Sequence, residues 1–320
     1  MPDVLHVRGL SVAYGTTTVL HAVDLSVGQN EVLALLGPSG SGKSTLLNAI
    51  AGFVPIRSGE ITLGTRQVAA PNRADPPERR DIAVVFQDYG LWPHMTAVDT
   101  VAYPLRRRRV DRETARDQAR DLLDRLGIGQ LADRKPAQLS GGEQQRVGLG
   151  RALARQAMLY LFDEPTAHLD AHLRDVFLGE IAARQRETGA AAIYATHDAA
   201  EALGLADRVA VLVGGRVIQV GTPQQLYVEP VSATAARLTG PASILSGPDG
   251  PLLVRPDWVR FGGDRTGVVV DVWFRGSHTD YALQTSDGGL LLRSLGAPTH
   301  QRGEQITWSL DQAWPLPEDH

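Results

Sequence analysis

Apolar and polar positions alternate over residues 4–36, with glycine or asparagine punctuation, and this pattern predicts strands joined by hairpins. The run "EVLALL" (31–36) is apolar after its first residue and stops at a glycine loop, as a buried strand does. "KSTLLNAIAG" then carries helical spacing up to a glycine stop at Gly52. Residues 111–126 predict an amphipathic helix, with Ala115, Ala119, Leu122, Leu123 and Leu126 on one stripe. Its other face carries Glu113, Arg116, Asp117, Arg120, Asp121 and Arg125, spaced three and four apart with opposite signs. "MLYLF" (158–162) and "AAIYAT" (191–196) predict two more buried strands, and Asp198 with Glu201 predicts a capping box opening the helix after the second. "RVAVLVGGRVIQV" predicts a hairpin around Gly214–Gly215. Thr222, Pro223 and Gln225 supply the cap, first-turn proline and box partner of a short helix.

Near residue 240 the pattern changes. "GPASILSGPDGPLL" is rich in glycine, proline and serine, and short strands with turn signals follow: "GVVVDVWF", "DYALQTSDGGLLLRS" and "EQITWSL". This predicts a small all-β domain, enough for one five-stranded barrel. The expected division is therefore 1–240 and 241–320, and a chain of 320 residues suits one large domain plus a smaller one.

Composition narrows the function classes. Hydrophobic content of 43% and charged content of 21% are ordinary for a soluble globular protein. A net charge of −4 argues against a nucleic-acid partner, whose binding face is usually basic. The absence of cysteine excludes disulfides, thiolate zinc sites and cysteine nucleophiles. "MPDVLHVRGL" lacks a basic stretch followed by an apolar run, so no secretory signal is expected. No apolar run approaches the length of a membrane span. The expected place is the cytoplasm, with a membrane reached by holding on to a protein that spans it. The run Arg106–Arg109 reads as a solvated helix approach, with a phosphate or partner contact as the second reading.

The chemistry concentrates at a few strand ends. Gly37, Gly42, Lys43 and Ser44 in "GPSGSGKST" (37–45) have P-loop spacing between an expected strand and an expected helix. In that setting the backbone N–H groups of 39–45 surround β- and γ-phosphates at a helix N-terminus. Lys43 would neutralise phosphate oxygens, and the Ser44 hydroxyl would ligate Mg²⁺. The competing reading is a glycine-rich turn with a chance lysine. The strand 158–162 runs into Asp163–Glu164, placing two carboxylates at the edge where open α/β sheets bind ligands. The first would hold Mg²⁺ or its water, and the second would take a proton from attacking water; the competing reading is that both cap the loop. Gln87 and His197 also follow apolar runs, "IAVVF" and "AIYAT".

A second glycine turn, "LSGGEQQR" (139–146), lies about a hundred residues beyond the first and has no lysine. Taken in order, the motifs resemble the nucleotide-binding subunit of an ATP-binding cassette (ABC) transporter, of the importer type with a C-terminal oligonucleotide-fold (TOBE) domain. "GPSGSGKST" resembles its Walker A motif, "VVFQDY" its Q-loop, "LSGGEQQR" its signature, "LYLFDEP" its Walker B and "THD" its switch histidine. Tyr14, 23 residues ahead of Gly37, resembles the aromatic that stacks on adenine, and "VRPDWV" (254–259) resembles the start of the TOBE barrel. The resemblance implies an α/β P-loop NTPase fold: a RecA-like lobe, a helical subdomain at about 88–155, and a small OB-like barrel.

The resemblance also implies roles for the matching residues. ATP would sit on Tyr14 and on Gly37, Pro38, Ser39, Gly40, Ser41, Gly42, Lys43, Ser44 and Thr45. Ser44, Asp163 and Gln87 would hold Mg²⁺ and its waters, Glu164 would be the general base, and His197 would contact the γ-phosphate. Ser140, Gly141 and Gly142 would donate to ATP held on the P-loop of a second copy, which explains a cradle without a lysine. Asp170 is kept in "TAHLD", but Ala167 and His168 stand where the family usually has a serine-containing loop. The implied assembly is a homodimer on transmembrane permease subunits at the cytoplasmic face, served indirectly by an extracytoplasmic solute-binding protein. Leu91, Trp92, Pro93 and Met95 would form a notch for a permease helix, or Trp92 packs into its own subdomain. "FQDYGLWPHMT" most resembles cassettes of ferric-iron importers, with sulfate, polyamine, phosphonate and thiamine systems near. An ABC-type ATPase of soluble machinery and a P-loop small-molecule kinase are the alternatives.

Overall fold

The alternating start of the chain forms two long strands, β1 (Asp3–Tyr14) and β2 (Thr17–Gly28), paired antiparallel. The continuous run forms β3 (Val32–Leu36), buried at all five positions, and α1 (Lys43–Ala51) follows the glycine loop. Both ends of α1 are glycines in the left-handed region, Gly42 at φ 105° and Gly52 at φ 90°, which side chains with a Cβ avoid. Then come β4 (Ser58–Leu63), β5 (Arg66–Ala70), β6 (Arg73–Ala74) and β7 (Ile82–Val85). Three helices follow: α2 (Ala97–Arg107), α3 (Arg112–Arg125) and α4 (Gly141–Ala154), capped by Thr96, Asp111 and Ser140. They pack on one another and bury the expected stripe of Ala115, Ala119, Leu122, Leu123 and Leu126. Arg116 pairs across to Asp99 of α2 as well as to Asp133, so its charge ties helices together. The remainder of this part is β8 (Leu159–Asp163), α5 (Ala171–Thr188), β9 (Ala191–Thr196), α6 (Ala199–Leu205), β10 (Arg208–Val213) and β11 (Arg216–Gly221).

The computed structural model describes residues 3–85, 90–166, 171–247 and 250–317. The sheet that matters for chemistry has the order β11-β10-β3-β9-β8-β7, and β10, β3, β9, β8 and β7 run parallel. The carboxyl ends of β3, β9 and β8 therefore lie side by side, although the residues they carry are far apart in sequence. A second, antiparallel sheet has the order β2-β1-β4-β5-β6.

Arg80 ties this second sheet to α1, and no motif marked it in the sequence. It is 2% exposed and donates from Nη1 to the Ala49 and Ile50 carbonyls at the end of α1, at 2.9 and 2.6 Å. Nε donates to Asp75 O at 2.9 Å and Nη2 to Val68 O at 3.3 Å. Burial pulls its pKa down, opposed by the charge of Asp75. Replacing Arg80 by Met leaves these carbonyls without their donor, and each buried unsatisfied group costs about 1–3 kcal/mol. Arg80→Met is expected to lower stability by about 3 kcal/mol or more. Urea unfolding within about 1 kcal/mol of wild type would contradict this role.

The contacts divide the chain into units 1–217 and 218–320, so the expected boundary at 240 falls inside the second unit. The reason is another buried arginine. Arg255, fully buried, donates to the carbonyls of Tyr227, Ala236, Gly240 and Pro241 and to Thr239 Oγ1. This fastens α7 (Pro223–Val228) and α8 (Ala233–Leu238) to the strands that follow. Those strands are β12 (Ser243–Gly247), β13 (Gly250–Val254), β14 (Val259–Phe274), β15 (His278–Thr285), β16 (Gly288–Leu295), β17 (Gln305–Leu310) and β18 (Trp314–Pro315). They form two antiparallel sheets, β12-β13-β18 and β16-β15-β14-β17, around Val259, Val269, Tyr281, Leu283, Leu292 and Trp308. The all-β expectation holds, with seven strands where five were expected.

Candidate nucleotide site

The loop 37–45 leaves β3 and enters α1, and its path is fixed from several sides. A Cβ at Gly37 would lie 2.2 Å from the Leu212 carbonyl, and one at Gly42 would lie 2.7 Å from Leu20 Cδ2. The Gly37 N–H donates to Thr196 O, and Gly215 N–H, at the turn between β10 and β11, donates to Ser41 O at 3.0 Å. The backbone of Pro38, Ser39 and Gly40 stays exposed, ahead of a helix N-terminus that carries partial positive charge. Lys43 is 4% exposed; its Nζ donates to Gly37 O at 2.8 Å and Pro38 O at 3.2 Å, and Glu164 Oε1 is 3.4 Å away. Thr45 is half-buried in the first turn. Tyr14 is 50% exposed, at the tip of the β1–β2 hairpin whose Leu20 abuts Gly42.

The two carboxylates arrive from β8. Asp163 Oδ1 accepts a hydrogen bond from Ser44 Oγ at 3.1 Å. Burial raises the Asp163 pKa, and Glu164 raises it further, while the Ser44 hydrogen bond and Lys43 oppose them. Glu164 sits at φ 47°, left-handed for a residue with a Cβ, a conformation costing about 1–2 kcal/mol. Its N–H donates to Ala195 O at 3.0 Å, which holds the turn against β9. Its Oε2 is 3.2 Å from His197 Nδ1, at the end of β9. The strand order thus gathers Lys43, Ser44, Asp163, Glu164 and His197 from β3, β8 and β9 into one cluster.

The donor set suits Mg²⁺. Ser44 Oγ and Asp163 Oδ1 are hard oxygen ligands within 3.1 Å of each other, and burial, the main cause of the raised Asp163 pKa, is a cost that a bound cation would offset. Among the described residues no group of three or more His, Cys, Asp or Glu forms a closed metal cage. One carboxylate and a hydroxyl beside a phosphate loop match the habit of Mg²⁺, which keeps waters and phosphate oxygens as its other ligands. Gln87 and Asp170, with Ala167 and His168, lie outside the described residues.

The second glycine turn is a helix start. Ser140 caps α4: its Oγ accepts from Glu143 N at 3.4 Å, and Glu143 Oε2 accepts from Ser140 N at 2.7 Å. Ser140 and Gly141 are exposed and Gly142 is half-buried. Among the described residues no hydrogen bond joins 140–142 to the loop 37–45 of the same chain. α4 reaches the cluster through Gln145, 2% exposed, which donates to the carbonyl of Pro165, next to Glu164.

Residues 20–167 match the family described as ABC transporter, and residues 252–315 match the TOBE domain family. The fold is similar to the dimeric post-hydrolysis structure of the ATP-binding cassette MJ0796 bound to ADP and Pi, with 31% identity and a TM-score of 0.63. That similarity covers 68% of this chain and 98% of the other. The chain belongs to the ABC transporter family. This cassette is also 47% identical over 232 residues to the sn-glycerol-3-phosphate import ATP-binding protein UgpC of Vibrio cholerae, covering 70% of this chain and 61% of that protein. It is 43% identical over 229 residues to the trehalose/maltose import ATP-binding protein MalK of Thermococcus litoralis, covering 71% and 62%. The chain thus spans about three-fifths of the length of these curated relatives. Neither is named for iron, so the ferric-iron expectation has no support here. It rested on "FQDYGLWPHMT", residues of the ATPase that have no reason to touch cargo.

The cassette also has a groove away from the cluster, of about 870 Å³, lined by residues that include Phe53, Ile82, Trp92, Tyr103, Arg107 and Arg151. Trp92 packs against Tyr103, ring centroids 4.8 Å apart, with the Arg151 guanidinium 5.2 Å from its ring. Trp92 therefore packs on its own subdomain and also lines the groove, whereas Leu91, Pro93 and Met95, the other residues of the expected notch, are not among its lining. Phe53 is 50% and Tyr103 40% exposed. Arg106–Arg109 are exposed as expected, with Arg108 donating to Gln156. Glu201 departs from its expected role. Asp198 alone caps α6, and Glu201 turns inward to Thr166, Tyr194 and Thr196.

Proposed function

We propose that this chain is the ATP-hydrolysing subunit of an ABC importer, acting as a homodimer on transmembrane permease subunits at the cytoplasmic face of a membrane. The observation that carries the reading is the convergence of Lys43, Ser44, Asp163, Glu164 and His197 at one sheet edge. The loop N–H groups and the start of α1 bind the phosphates of ATP, and Lys43 neutralises their oxygens. Ser44 and Asp163 would hold Mg²⁺, which would supply positive charge against the phosphate oxygens. Glu164, held off the strand by its left-handed turn, takes the proton from attacking water. His197, hydrogen-bonded to Glu164, orients that carboxylate and contacts the γ-phosphate. Tyr14 stacks on adenine, and Gln87 and Asp170 complete the site. Ser140, Gly141 and Gly142 serve the ATP of the second copy, which accounts for an exposed, lysine-free helix start.

No helix among the described residues is long and apolar enough to cross a membrane, so membrane location comes through the partner. The aromatic groove of Phe53, Trp92 and Tyr103 fits an apolar helix of the permease. The names of the relatives favour a small polar organic solute, a polyol phosphate or a sugar, over ferric iron. A solute-binding protein and the permease select it. Substituting both Trp92 and Tyr103 by Ala should weaken association with the permease subunits about 30-fold, the loss of one aromatic anchor of about 2 kcal/mol. MgATP affinity should stay within twofold. Undiminished co-purification would remove the groove from the interface.

A further inference from the structure

Glu201 is a buried carboxylate that hydrolysis, as derived above, does not use. It is 7% exposed, yet three hydroxyls and a guanidinium converge on it. Thr166 Oγ1 donates to Oε1 at 2.6 Å. Tyr194 Oη donates to Oε2 at 3.1 Å, and Thr196 Oγ1 donates to Oε2 at 2.8 Å. Arg174 Nε, from α5, lies 3.2 Å from Oε1. A buried charge costs several kcal/mol unless paired and hydrogen-bonded, and here three hydroxyl hydrogen bonds and the Arg174 ion pair meet it.

The positions of those donors matter more than their number. Thr166 is two residues beyond Glu164, and its hydroxyl anchors the segment that carries the base. Thr196 immediately precedes His197, and its hydroxyl also accepts from Asp198 N at 3.0 Å. Asp198 immediately follows His197, and Arg174 Nη1 lies 3.6 Å from its carboxylate. The Glu201–Arg174 pair therefore holds the residues on both sides of His197, and Glu201 separately holds the turn after Glu164. The 3.2 Å contact between Glu164 and His197 is the side-chain contact between these two anchored segments at the reacting groups, beside the backbone bond from Glu164 N–H to Ala195 O.

We infer that Glu201, with Arg174, is a positioning residue that keeps the Glu164 carboxylate and the His197 imidazole in register for hydrolysis. This rests on the reading of Glu164 and His197 as the hydrolytic pair. Tyr194 supplies an internal comparison: its hydroxyl bonds Glu201 and lies 2.9 Å from Thr166 Oγ1, but it stands two residues before Thr196, inside the strand, and its loss leaves the Thr166 and Thr196 bonds to Glu201 in place. A register error of about 1 Å at a reacting group costs about 10²-fold in rate, so a partial loosening should cost about tenfold.

The test uses three isosteric deletions in the full chain, each removing one hydroxyl from Glu201: Thr166→Val, Thr196→Val and Tyr194→Phe. Turnover is expressed per nucleotide-binding site counted by calorimetry, so that loss of folded protein does not count as loss of rate. Thr166→Val and Thr196→Val should each lower kcat about tenfold with KM for MgATP within twofold. Tyr194→Phe should keep kcat within twofold, even where its melting temperature falls as far as theirs. Glu201→Gln places two N–H donors among donors and should lower kcat by more than either threonine change; if it does not fold, the threonine variants decide. Equal kcat for all three variants would overturn the inference, as would losses that follow melting temperature and not position. A wild-type chain with no MgATP turnover would instead overturn the hydrolytic reading itself.

Discussion

Glu164→Gln should lower ATP turnover by about 10²–10⁴-fold, the range of a positioned general base, and leave MgATP affinity within about threefold. The amide keeps the size of the carboxylate and its hydrogen-bonding reach to His197, now 3.2 Å away, but it takes no proton from water. It also removes the negative charge 3.4 Å from Lys43 Nζ and the charge that helps to raise the Asp163 pKa. Lys43 and Asp163 are both freed for phosphate and Mg²⁺, so ATP binding should hold or tighten and ATP-bound dimer should accumulate. The left-handed backbone at Glu164 sharpens the test. Glutamine meets the same steric cost as glutamate there, so the melting temperature of the nucleotide-free chain should stay close to wild type. Single-turnover hydrolysis near the wild-type rate would exclude Glu164 as the base.

Ser140→Arg should abolish turnover, by at least about 10²-fold, while ATP still binds to the loop 37–45 of the same chain. No hydrogen bond among the described residues joins the start of α4 to that loop, and Ser140 and Gly141 face solvent. An arginine there blocks closure of the partner's site, where donors must come within about 3 Å of the developing charge. The substitution also removes the N-cap of α4, worth about 1 kcal/mol, so thermal unfolding must show that the helix survives. Lys43→Ala should show the reverse, with weak ATP binding and a sound α4 surface. Mixing the two variants makes one composite site with both lesions and one with neither, and activity should return in part. Wild-type hydrolysis by Ser140→Arg alone, independent of protein concentration, would mean that each chain works by itself.

Local chemistry alone determined a good deal here. Residue period and caps decide an element from within its own few residues, so β3 and β9 emerge as buried strands, and α1 ends at Gly52 with φ 90°. The buried stripe of α3, the Gly214–Gly215 turn and the capping box of Thr222 with Gln225 are of the same kind. Lys43, Asp163, Glu164 and His197 were legible because each closes a strand or opens a helix in a recognisable short motif. Their assembly at one site was expected only through the resemblance of the motif order, because physically it follows from the strand order β3-β9-β8, which no local pattern carries. The same limit explains Glu201. Asp198-x-x-Glu201 has the pattern of a reciprocal cap, but hydroxyls from β9 and the turn after β8, with the Arg174 guanidinium of α5, outcompete one backbone N–H for its carboxylate. It explains Arg80 and Arg255 as well, charged residues whose burial makes sense only beside the carbonyls they satisfy. Arg255 ties residues 227–241 to the second unit, across the expected boundary at 240, since a segment belongs with whatever meets its backbone groups, and that partner lies 14–28 residues further along the chain.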